Sequence, residues 1–169
     1  MLEKELQDAL NSQINQELTA AYNYLAISAY FEEENLVGFA NWMRMQHQEE
    51  MEHAERLQTY LLDRGGHLEL EAIEKPRSEF SGALEAFEFS LETEQENTRS
   101  INALYEKAFR LNDHATKTHL QWFLTEQVEE EKSVEEVITT LRMIGDDVAG
   151  LLYLNDKLGE RKHDESEEA

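Results

Sequence analysis

Four long stretches of this chain repeat apolar residues on a helical period, and each breaks its own apolar seam near the middle with an acid or an amide. Counting by sevens, the first reads Leu10, Glu17, Tyr24, Phe31. The second reads Leu36, Met43, Glu50, Leu57, beside a neighbouring row of Phe39, Gln46, His53, Tyr60. The third reads Phe80, Phe87, Glu94, Ile101, Ala108, and the fourth Leu120, Gln127, Val134, Leu141 beside Phe123, Glu130, Val137, Ile144. Residues three, four and seven apart share a helix face, so Glu50 and His53 point the same way, into a buried seam. A carboxylate placed there is costly unless it is paired or coordinates a metal.

The punctuation between these stretches predicts an all-α four-helix bundle with one long crossover and a short fifth helix. The first helix is expected from Leu2 to about Glu33, with a tight turn around Asn35. The second runs to about Arg64, stopped by Gly65-Gly66. Residues 67–79 hold the only proline, Pro76, and alternate Leu68, Glu69, Leu70, Glu71, which reads as an extended connection. At about 3.3 Å per residue, such a segment spans a helix of roughly 28 residues, about 42 Å long. It therefore crosses from one end of the bundle to the other. The third helix is expected over Phe80 to Leu111, and the fourth after an Asp113 N-cap to about Ile144. A short amphipathic fifth follows from Val148 to Leu158. Residues 1–159 thus form one domain, and the acidic tail 160–169 is expected to be disordered.

Composition narrows the function. With no cysteine among 169 residues, any metal is held by oxygen and imidazole. A formal net charge of -22 argues against nucleic acid or an anionic membrane as partner and favours cations. The N-terminus is amphipathic, without the basic-then-apolar order of a signal peptide, and no apolar run reaches membrane-spanning length; a cytoplasmic location is expected.

In a bundle, helix midpoints share one level whether the helices run up or down. Glu17, Glu50 with His53, Glu94, and Gln127 with Glu130 therefore converge. A polar seam residue on its own often only sets register, but four glutamates at one level repel one another when empty. Two divalent cations bring four positive charges against those four negative ones. Oxygen-rich ligation with one imidazole suits iron or manganese rather than structural zinc. A zinc-protease His-Glu-x-x-His is excluded because position 49 is glutamate.

These residues, together with Phe39-x-x-Trp42, Gln48-Glu49-Glu50-Met51-Glu52-His53, Glu94-Gln95, Leu120-Gln121-Trp122-Phe123 and Glu126-Gln127-x-Glu129-Glu130-Glu131, resemble the ferritin family over nearly the whole chain, most closely its non-haem prokaryotic members. The resemblance implies a hollow cage of 24 identical subunits. Each subunit oxidises Fe(II) with dioxygen or hydrogen peroxide at a di-iron centre and passes Fe(III) into an interior mineral. It assigns Glu17, Glu50 and His53 to a first iron and Glu50, Glu94 and Glu130 to a second, with Glu50 bridging. Gln127 is implied beside the centre, and Tyr24 as an electron donor during oxygen reduction. A third iron is implied at Glu49, Glu126, Glu129 and Glu130. Met51 stands where bacterioferritins hold haem, but the fourth helix lacks their second Glu-x-x-His, so haem is not expected and Met51 is assigned to packing at a subunit interface. The alternative functions are a haem-containing bacterioferritin and a non-catalytic, cation-sequestering acidic cage. Asp113, His114 and His119 are either pore residues or solvated caps. Leu68, Leu70 and Ile73 on the crossover, and Leu151, Leu152 and Leu154 on the fifth helix, have no evident partner within one bundle, which predicts a closed homo-oligomer.

Overall fold

A computed structural model describes residues 2–162. Five helices follow in order: α1 (Lys4–Glu33), α2 (Val37–Asp63), α3 (Ala83–Arg110), α4 (His114–Ile144) and α5 (Val148–Gly159). Helix α1 packs along α2, α3 along α4, and α1 against α3, while α5 lies on α2. This is the expected four-helix bundle with a crossover and a short fifth helix. Among the described residues no helix is long and apolar enough to cross a membrane.

Three helices end the same way. Asn35, Gly65 and Asn112 adopt left-handed backbone (φ 60°, 73° and 53°). The next residue's N–H then reaches back five positions, from Leu36 to Phe31, Gly66 to Leu61 and Asp113 to Ala108, at 2.9–3.0 Å. Glycine and asparagine tolerate this geometry, which satisfies carbonyls the helix leaves open. Asp113 then caps α4 by accepting the Thr116 N–H at 2.9 Å.

Helix α3 starts three residues later than expected. Phe80 packs against Tyr30 and Phe89 instead, and Glu85 in the first turn reaches back to accept the Ser81 N–H at 2.6 Å. The crossover is held by a device that periodicity does not reveal. Gln7, Asn11 and Asn15, four apart on α1, bond the backbone of His67, Glu69 and Glu71 at 2.9–3.1 Å. Their amides supply the donors and acceptors that an extended segment otherwise takes from a strand.

The α5 expectation needs correction. Leu154 is buried, and Leu151 and Leu158 pack on the core, so much of this face is covered within the subunit; Leu152 and Tyr153 remain exposed. On the crossover, Leu68 packs against the core while Leu70 and Ile73 stay exposed. The α5 docking joint is specific. Asn155 Oδ1 accepts the N–H groups of Gly38 (2.9 Å) and Phe39 (3.1 Å), satisfying open donors at the start of α2. A Cβ on Gly38 would lie 1.7 Å from the Asn155 carbonyl oxygen. Gly38→Ala is therefore expected to push α5 off α2 and cost about 2 kcal/mol or more. Thermal or denaturant melting checks this, and a wild-type midpoint would contradict it. Residues 163–169 of the acidic tail lie outside the described residues, whereas Arg161 is described and contacts α2.

Candidate metal centre

The bundle core divides into two apolar clusters. One, around Tyr24, Phe31, Phe39 and Phe87, fills the α5 end; the other, around Leu10, Leu57, Ile101 and Leu120, fills the opposite end. Between them lies a polar level built from helix midpoints. Glu17, Glu50 and Glu94 are 0% exposed, His53 1%, Gln127 2% and Glu130 4%. All six face one another because each occupies a core-facing position of its own helix.

Most of these groups are held by a surrounding set of amides and hydroxyls. Glu17 accepts from Gln13 Nε2 (2.8 Å) and Asn97 Nδ2 (2.7 Å), one on each oxygen. Glu94 accepts from the Tyr24 hydroxyl and from Gln127 Nε2 (3.3 Å). Glu130 accepts from Gln46 Nε2 at 2.7 Å. Glu50 and His53 differ: neither carboxylate oxygen and neither ring nitrogen has a hydrogen-bond partner, although all are buried. Glu50 Oε2 lies 3.6 Å from His53 Nδ1, and Glu17 Oε2 lies 4.0 Å from that nitrogen. The imidazole is oriented by edge-on packing against Trp122 (5.3 Å) and Phe123 (6.0 Å). Buried polar atoms without partners are rare. Here they converge at ligand spacing, with Glu17, Glu50 and His53 offering atoms all within 4.8 Å. This donor set fits a hard divalent cation.

The electrostatics agree. Burial, then repulsion from Glu94, Glu17 and Glu130, pushes the Glu50 carboxyl well above its ordinary range. Burial pushes Glu94 up to about 7, opposed by the Tyr24 and Gln127 hydrogen bonds. Burial and repulsion from Glu94 and Glu49 push Glu130 up to about 8. The cluster thus holds protons near neutrality, and a cation bound there would have to displace them.

The same shifts set a pH dependence. Glu94 and Glu130 keep protons in the folded state that the unfolded chain releases near 4.5. Their contribution to stability is complete below that value and is lost as pH rises through about 7 and 8. The metal-free protein is expected to melt at progressively lower temperature as pH rises from about 4.5 to about 8. Glu130→Gln should flatten that slope, which separates the cluster from general repulsion in a chain of net charge -22. A slope unchanged in the variant would contradict the assignment.

The Ferritin-like domain family model matches residues 7–144. The chain is 45% identical over 165 residues to the bacterial non-heme ferritin of Staphylococcus aureus (strain USA300), covering 98% of this chain and 99% of that one. The chain belongs to the ferritin family. A solved open-pore ferritin from the hyperthermophilic archaeon Archaeoglobus fulgidus superposes with a TM-score of 0.95 at 42% identity, covering 96% of this chain and all of the other. A closed form of the Archaeoglobus fulgidus ferritin, engineered by mutagenesis, gives 0.94 at 43% identity, over 96% of this chain and 99% of that one.

In this ferritin Glu126 joins His53 and Glu130 in a second group whose ligand atoms lie within 4.8 Å of one another. Glu49, Glu126, Glu129 and Glu130 line one side of a cleft of about 510 Å³ that opens beside the centre. Glu49 is buried, Glu126 half-buried and Glu129 exposed. Met51 is exposed in a surface pocket of about 600 Å³ that it lines with His47 and Glu52 of α2 and Leu18 of α1. Asp113 is tied to Arg64 at 2.7 Å as well as capping α4. His119 stacks on Tyr60 at 4.0 Å, and burial, then Arg56, lowers its pKa to about 4. Of the three residues considered for a pore, only His114 is exposed. The supporting amides Gln13, Gln46 and Asn97 were not anticipated, although their spacing offered a signal. Gln13 is four before Glu17, Asn97 three after Glu94, and Gln46 sits one heptad before His53.

Proposed function

We propose that this ferritin is a ferroxidase and an iron store. Fe(II) is the substrate. It binds at the mid-bundle carboxylates, is oxidised to Fe(III) by dioxygen or hydrogen peroxide, and passes into a ferric oxyhydroxide mineral within a hollow cage of 24 identical subunits in the cytoplasm. The observation that carries this reading is the unpartnered Glu50–His53 pair, buried with the carboxylates of Glu17, Glu94 and Glu130. Glu17, Glu50 and His53 hold one iron, and Glu50, Glu94 and Glu130 the other. Hard carboxylate oxygens favour Fe(III) over Fe(II). Two adjacent irons let dioxygen take two electrons and two protons to give hydrogen peroxide, without release of a one-electron radical. Gln127 and Tyr24 adjoin the second position through Glu94, the amide orienting bound species and the phenol able to supply a further electron.

The reading extends to a third, weaker cation position at Glu49, Glu126, Glu129 and Glu130, all oxygen and more open than the pair. Assembly is supported by the exposed apolar side chains Leu70, Val148, Leu152 and Tyr153. The test is aerobic addition of Fe(II) to the metal-free protein. Oxygen uptake and ferric absorbance rising much faster than in protein-free buffer are expected. Binding with oxidation only at the spontaneous rate would leave a cation-sequestering cage.

A further inference from the structure

The cleft beside the metal centre already contains a cation that belongs to the chain. Arg161, two residues past the end of α5, turns back onto α2. Its Nη2 donates to both oxygens of Glu49, at 2.9 and 2.7 Å. Its Nη1 donates to Gln46 Oε1, while Gln46 Nε2 donates to Glu130 at 2.7 Å. The guanidinium carbon sits 4.8 Å from the centre of the Trp42 ring. Asn41 Nδ2 fixes the backbone here, donating to the carbonyls of Gly159 (3.3 Å) and Arg161 (3.1 Å). Four side chains of α2 therefore receive one residue of the C-terminal segment. A planar fork fits a carboxylate and an amide oxygen together, whereas an ammonium does not.

We infer that Arg161 is a tethered cation that holds Glu49 and, through Gln46, orients Glu130, and that a metal ion entering the Glu49–Glu126–Glu129–Glu130 cleft must displace it. This rests on the third-position reading above. Glu49 is nearly buried, and its charge needs compensation when no metal is present. The Arg161 side chain is 25% exposed, so a side-chain rotation returns it to water without unfolding the segment. Arg161 is thus a positioning residue. It lowers affinity at the outer position and leaves the inner pair as the first destination of incoming metal.

The test is calorimetric titration of the metal-free, full-length protein with Zn(II), which needs no turnover. Wild type should show a third, weakest class of site that Glu49→Gln removes. Arg161→Gln should tighten that class about three- to tenfold, with Arg161→Lys in between. If Glu49→Gln removes the third class but Arg161→Gln leaves its affinity at or below wild type, Arg161 is not a competing cation and the inference falls alone. If every variant binds only two Zn(II) per subunit, the third-position reading falls, and the inference with it.

Discussion

Glu50→Ala is expected to lower the initial rate of Fe(II) oxidation by about a hundredfold or more, because the carboxylate proposed to bridge both irons is gone. The same substitution should leave the metal-free protein close to wild type in stability. Removing one buried methylene and leaving a small cavity costs on the order of 1–2 kcal/mol. Removing a buried carboxyl whose oxygens lack partners, and which Glu94, Glu17 and Glu130 repel, returns about 1–3 kcal/mol. His53→Ala should reduce the rate similarly, since both ring nitrogens are likewise unpartnered. Stopped-flow oxidation kinetics beside thermal melting separates the two effects. Wild-type rates in either variant would remove these residues from the site, and loss of rate accompanied by a collapsed bundle would make them structural.

Asn97→Ala should have the second-largest effect, acting through Glu17. Asn97 Nδ2 donates to Glu17 Oε2 at 2.7 Å, and its Oδ1 accepts from Gln13 at 2.7 Å, so one side chain orients both the carboxylate and the amide beside it. Groups that hold metal ligands typically cost 10- to 100-fold in affinity or rate when removed. An affinity loss of about tenfold at the first cation position is expected. The buried groups left behind should lower stability by about 1–3 kcal/mol. Zn(II) titration beside denaturant unfolding reads both, and unchanged affinity would show that Glu17 needs no such support.

The parts of this ferritin that were legible in its sequence are those where one residue breaks a strong local rule. Glu17, Glu50, Glu94 and Glu130 sit in apolar rows where a carboxylate is costly, and the three-residue step from Glu50 to His53 fixes a shared face. Helix ends were legible for the same reason, since Gly65, Asn112 and Asp113 are poor helix interiors and good boundaries. The rest depends on pairing between distant segments. Gln13 bonds Asn97 and Gln46 bonds Glu130, each across 84 positions, and no local rule in the sequence pairs residues so far apart. Gln7, Asn11 and Asn15 look like an ordinary polar face until the crossover lies against them. Arg161 is hidden by its setting in a charge-rich terminal segment, where a single cation carries no periodic signal. Docking of α5 depends on the close approach of Gly38 and Asn155, 117 positions apart.

The central claim is that the mid-bundle level holds a pair of cations sharing Glu50. Crystals of the metal-free protein soaked anaerobically in Fe(II), with diffraction recorded on both sides of the iron absorption edge, test it most directly. The account predicts two strong anomalous peaks in each subunit, one among Glu17, Glu50 and His53 and one among Glu50, Glu94 and Glu130, with a Glu50 oxygen within bonding distance of each. A single peak, or iron only in the outer cleft with Glu50 and His53 unbound, would contradict it.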